Sequence, residues 1–122
     1  MPDHVEHPDR FDGQLRGAVV DGAGGPVVYA LTGEIDAYVA DALEDRLRRV
    51  AAEHGEVIDL DLAEVAYCDS SGLRVFIKLS NELAARGGRL RFVRPSPAVL
   101  RLVDLTNTAA ILGLPPGTRE EP

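Results

Sequence analysis

The strongest constraint on the fold is a change of hydrophobic period within a short stretch of chain. Val39, Leu43, Leu47 and Val50 recur at spacings of four, four and three, which lays them along one stripe of a helix. Asp41, Glu44, Asp45, Arg48 and Arg49 fall on the opposite face. A few residues on, the period becomes two: Ile58, Leu60 and Leu62 point one way, Asp59 and Asp61 the other. That is a strand with one packed face. A helix followed directly by such a strand buries its stripe on a sheet, which selects an α/β architecture. The ends of the helix are legible too. Asp36 suits the N-cap because its carboxylate accepts free amide protons of the first turn. Arg48 and Arg49 lie towards the negative end of the dipole, and Gly55 turns the chain out.

The same alternation extends to both sides. Gln14–Val20 and Val27–Thr32 predict a hairpin joined by the turn-rich Asp21-Gly22-Ala23-Gly24-Gly25-Pro26. Val57–Leu62 continues through Ala63-Glu64-Val65 and Ala66-Tyr67-Cys68 to Asp69-Ser70-Ser71-Gly72. Leu73, Phe76, Ile77, Leu83 and Ala84 then mark a second helix, ended by Gly87-Gly88. Leu90 and Phe92 alternate with Arg89 and Arg91 in a further strand, and Pro95-Ser96-Pro97 opens a short helix through Leu105. Ala109–Leu114 reads as a last short strand. The order β-β-α-β-α-β-α-β, with right-handed crossovers, predicts one small mixed α/β sheet of four to five strands with helices mainly on one face. Residues 1–11 read as a flexible N-terminal arm, 12–114 as the domain and 115–122 as a disordered tail.

Composition removes several classes. The chain has 122 residues, 12 Gly, 8 Pro and 1 Cys, so collagen-like and disulfide-stapled folds fall away. No apolar run approaches a membrane span, and MPDHVEHPDRFDG lacks the basic start and apolar core of a secretory signal, so the cytoplasm is the expected address. The net charge of −7 is uneven, with the acids concentrated before Val65. That asymmetry argues against direct nucleic-acid binding and for a partner with a basic face. Arg86, Arg89, Arg91, Arg94 and Arg101 read as a solvated edge, since Phe92 is the only aromatic among them and alternation turns it inward.

Asp69-Ser70-Ser71-Gly72 is the segment whose composition is unusual for its place. Its hydroxyls lie at a helix N-terminus, where unpaired amides and the dipole favour an anion, although Asp and Ser before a helix also serve simply as caps. A phosphate on Ser70 would add about −1.5 to −2 charges. Gly72 leaves room beside the hydroxyl. Hydrolase chemistry is disfavoured: His4, His7 and His54 are the only histidines, and the segment is not a nucleophile elbow. His4-Val5-Glu6-His7 is too sparse for a metal site, so neither metal nor cofactor is expected. No basic residue flanks Cys68, which reads as a buried small hydrophobe. Gly22-Ala23-Gly24-Gly25 joins two strands and is no phosphate loop.

Leu31-Thr32-Gly33-Glu34-Ile35-Asp36, then Asp61-Leu62 with Asp69-Ser70-Ser71-Gly72-Leu73, then Val93-Arg94-Pro95-Ser96-Pro97-Ala98-Val99, resemble the STAS domain of bacterial anti-sigma factor antagonists across roughly residues 14–114. The resemblance implies a non-enzymatic, phosphorylatable switch. Unphosphorylated, it would bind an anti-sigma factor that is itself a serine kinase and so release the sigma factor. Phosphorylation at Ser70 would end that binding, and a metal-dependent serine phosphatase would restore it. The implied contact surface holds Asp36, Asp69, Ser71, Gly72, Leu73 and Ser96, with Ser71 capping or shaping the acceptor loop. Two positions depart from the pattern: Val39 stands where a small polar residue is common, and Asn107-Thr108 follows the last helix in place of a glycine. A rival reading keeps the fold and makes the chain a subunit of a larger signalling or lipid-transport complex, without phosphoswitching. A weak homodimer stays open.

Overall fold

The computed structural model describes residues 4–5, 8–21 and 25–114. Six strands and three helices follow in the order β1 (His4–Val5), β2 (Asp9–Arg10), β3 (Leu15–Asp21), β4 (Val27–Ile35), α1 (Ala37–His54), β5 (Val57–Cys68), α2 (Ser70–Ala85), β6 (Arg89–Val93) and α3 (Pro97–Thr106). They form one mixed sheet in the order β1-β3-β4-β5-β6, with β2 also pairing β3. The hairpin β3–β4 is antiparallel, whereas β4, β5 and β6 run parallel through α1 and α2 as crossovers. The α/β architecture with a five-strand path therefore agrees with the sequence pattern.

The α1 stripe is buried as expected, whereas in α2 Leu79 joins Leu73, Phe76 and Leu83 in the core, Ile77 is half-buried and Ala84 is exposed. Val39, Leu43, Leu47 and Val50 of α1 and Leu73, Phe76, Leu79 and Leu83 of α2 are buried with Tyr29, Leu31, Ile35, Ile58, Leu60 and Leu62 of the strands. The Phe76 and Phe92 rings pack tilted, 5.4 Å between centroids. β5 runs on past Leu62 to Cys68, because register shifts against β4 near Ala30–Thr32 and Gly33–Glu34 keep Val65 and Cys68 buried. Gly33 is indispensable at the second shift. Its φ is 117°, and a Cβ there would lie 1.8 Å from the Gln14 carbonyl oxygen, which accepts the Glu34 amide.

Two expectations need correction. Ala109–Leu114 is not a strand. Its backbone closes turns, Leu112 N–H to Thr108, Gly113 N–H to Ala110 and Leu114 N–H to Ala109, while Leu112 and Leu114 are buried. A short apolar run does not declare its period, and here local turns satisfy its backbone. Nor is the arm before residue 12 simply loose: β1 and β2 both pair with β3, and Phe11 N–H donates to the Leu15 carbonyl. The anchor is Asp9 Oδ2, which accepts from the Tyr29 hydroxyl at 2.6 Å and from Arg46 Nε at 2.7 Å. The Tyr29 hydroxyl reaches it by passing over Gly17, where any Cβ would clash. The expected tail, 115–122, lies outside the described residues.

Ion pairs join distant parts of the chain. Asp59 receives a two-pronged Arg91, Asp61 receives Arg94, Glu56 receives Arg86, and Arg48 of α1 forks onto Glu82 of α2. Three first-half acids, Glu56, Asp59 and Asp61, are thus matched by second-half arginines. Arg91 joins β6 to Asp59 of β5, and Arg86 and Arg94 reach Glu56 and Asp61 from beyond the strands; all three side chains stay exposed, as a solvated edge requires. Where a glycine was missed after α3, Asn107 adopts the left-handed conformation, φ 60°, and lets Thr108 N–H reach back to Val103.

Candidate functional site: three helix starts at one edge of the sheet

Because β4, β5 and β6 are parallel, the helices after them all begin beyond the same end of the sheet, where α/β folds place their sites. Each start is capped by a side chain. Asp36 Oδ1 accepts the amides of Tyr38 and Val39 at 3.0 and 3.3 Å. Asp69 Oδ1 accepts the Ser71 amide at 2.8 Å, and Ser96 Oγ accepts the Val99 amide at 3.2 Å. Asp69 N–H donates to the Ile35 carbonyl at 3.1 Å, and Ile35 lies in register with Cys68. Asp36 and Asp69 therefore stand at the ends of neighbouring strands.

Ser70 is the first residue of α2 and is exposed. Its hydroxyl sits at the amide-rich end of a sixteen-residue helix, on the solvent side. Ser71 is half-buried and is not the cap: it contributes the amide that Asp69 binds. Gly72 faces inward rather than opening space beside the hydroxyl. A Cβ there would lie 2.7 Å from both Cys68 Sγ and Ile35 Cγ2. Leu73 and Ser96 are also buried, at 6% and 5% exposure. Of the six residues expected to contact a partner, Asp36, Asp69 and Ser71 thus reach the surface, while Gly72, Leu73 and Ser96 set its shape from beneath.

Cys68 lies under this edge, and burial, with the Asp69 charge adding to it, pushes its thiol up to about 12. It behaves as a small apolar residue at neutral pH. His54 is at the last turn of α1, roughly 27 Å of helix from Asp36, so it does not reach Ser70. Among the described residues there is no group of His, Cys, Asp or Glu arranged to hold a metal ion, and no helix is long and apolar enough to cross a membrane. The side chains of His4 and His7 lie outside the described residues.

The sequence reading passed over two residues of this edge. Tyr38, in the first turn of α1, is 74% exposed, and Tyr67, near the end of β5, is 49% exposed. Treating Ala66-Tyr67-Cys68 as an apolar run hid the latter, and the bulged register that turns it outward leaves no mark in the pattern of residue types.

A sheet of this order, with a serine at the start of the helix following its central parallel strand, defines a class. Residues 18–120 match the STAS domain family, and the chain belongs to it. The anti-sigma-B factor antagonist of Listeria monocytogenes is 35% identical over 82 residues, spanning 67% of this chain and 72% of that protein. Its namesake in Bacillus subtilis is 34% identical over 84 residues, 69% of this chain and 76% of that one. In three dimensions the fold resembles an anti-sigma factor antagonist from Mycobacterium paratuberculosis, with a TM-score of 0.70 at 28% identity over 85% of this chain and 87% of that one. It also resembles unphosphorylated SpoIIAA, with a TM-score of 0.66 at 20% identity over 84% and 89% of the two chains, a likeness of fold.

Proposed function

We propose that this chain is an anti-sigma factor antagonist, a non-enzymatic cytoplasmic protein that binds an anti-sigma factor while Ser70 carries a free hydroxyl. That anti-sigma factor is a serine kinase, which phosphorylates Ser70 and so dismisses the antagonist; a metal-dependent serine phosphatase resets it. The observation that carries this reading is the placement of Ser70: exposed, on the first turn of α2, beside Asp69, in a chain whose relatives are named antagonists.

The switch follows from electrostatics. A partner packed over the bare hydroxyl would, after phosphorylation, have to bury a near-dianion next to the Asp69 carboxylate. Burying uncompensated charge costs several kcal/mol, and each 1.4 kcal/mol is tenfold in affinity. The positive dipole end of α2 meanwhile tolerates the phosphate in the unbound protein, so nothing has to refold.

Incubation with the kinase of the neighbouring gene and ATP, followed by mass spectrometry, tests the assignment. The expected result is one phosphate on Ser70, none on Ser70→Ala, and retained binding by Ser70→Ala. Phosphate on Ser71, or a Ser70→Asp protein that binds as tightly as wild type, would refute it.

A further inference from the structure

Two of the chain's 3 tyrosines lie where β5 and α1 meet this edge, Tyr38 74% and Tyr67 49% exposed, and neither phenol hydrogen-bonds to another described residue. Their positions are fixed by backbone pairing. Tyr67 stands in register with Glu34, one step before the Ile35–Cys68 pair that leads to Asp36 and Asp69. Tyr38 follows Asp36 by two residues, its amide held by that carboxylate. Surface aromatics of this size are costly to leave in water, and they dominate interface energetics where they are covered.

The charges around them are acidic. Several acids elsewhere are matched: Glu44, Glu56, Asp59, Asp61 and Glu82 each pair with an arginine or lysine. Glu34, Asp36 and Asp69, which share the tyrosines' edge, form no ion pair among the described residues. Two bare aromatic faces set among unpaired carboxylates favour a guanidinium, which stacks on a ring while its N–H groups reach a carboxylate.

We infer that Tyr38 and Tyr67 are the anchors of the docking surface, and that the anti-sigma factor covers them with an arginine-bearing basic face. The inference rests on the antagonist reading and deepens it by naming the residues and the partner's chemistry.

The test is a titration of the purified kinase from the labelling experiment against the full chain, at several salt concentrations. Tyr38→Ala and Tyr67→Ala are each expected to raise Kd at least tenfold, and Tyr38→Phe and Tyr67→Phe to stay within threefold. Leu105→Ala, which trims a side chain 73% exposed on α3, serves as the control and is expected to leave Kd unchanged. Wild-type affinity should fall as salt rises. Alanine variants within twofold of wild type, while Ser70→Asp still abolishes binding, would overturn the anchors and leave the antagonist reading standing. Salt-independent binding, or Tyr38→Leu binding as wild type does, would overturn the arginine. If Ser70→Asp bound normally as well, both readings would fall together.

Discussion

Single side chains beneath Ser70 have more to do with the fold than with the partner. Gly72 has no room for a methyl group between Ile35 and Cys68, so Gly72→Ala is expected to cost about 1–3 kcal/mol of stability, read from a urea melt. Cys68 offers an independent measure of how closed that floor is. With the thiol pushed up to about 12 by burial, iodoacetamide at pH 8 should leave the native protein unlabelled and modify it once urea unfolds it. Rapid labelling of the native state would mean that the edge beneath Ser70 opens. This tightness was not legible in the sequence. Gly72 beside two serines looked like space for a visitor, and only the three-dimensional neighbours Ile35 and Cys68 reveal a packing constraint.

At the scale of elements, the contact between α1 and α2 is polar at its rim as well as apolar at its centre. Arg48 forks onto Glu82, and Glu44 pairs with both Arg48 and Lys78. The hydrogen bond from Lys78, then that from Arg48, holds Glu44 below its ordinary 4.5, and Arg48 does the same for Glu82. A carboxylate held low in the folded state adds stability above its unfolded pKa and loses it as pH falls through the folded value. Thermal melts should therefore show stability declining below about pH 4.5, and Arg48→Ala should flatten that decline. An unchanged acid slope in the variant would mean that other carboxylates govern it. The helices and the parallel strands were legible because the stripe through Val39, Leu43, Leu47 and Val50 and the alternation through Ile58, Leu60 and Leu62 each have a long, clean period. Ala109–Leu114 was misread because so few apolar residues fit a strand and a set of turns equally well.

For the molecule as a whole, the least legible contact joins its N-terminal segment to its middle. Asp9 meets Tyr29 across 20 residues and Arg46 across 37, so no local pattern announces it. Asp9→Ala would leave the buried Tyr29 hydroxyl without its acceptor. The expected cost is about 1–3 kcal/mol. Hydrogen exchange should speed up along β2 and the facing residues of β3, with protection in α2 unchanged. If β2 stayed protected, backbone pairing alone would hold the arm.

The floor beneath Ser70 has a consequence for how anti-sigma factor antagonists multiply within one cell. Gly72, Ile35, Cys68 and Leu73 cannot vary without loosening the core. A duplicated copy serving another regulator must then diverge where substitution is cheap, on the solvent-facing ring around the serine. Insulation between parallel circuits would be written in that ring, and a swap of its few side chains between sister proteins should redirect one to the other's target without touching the fold beneath.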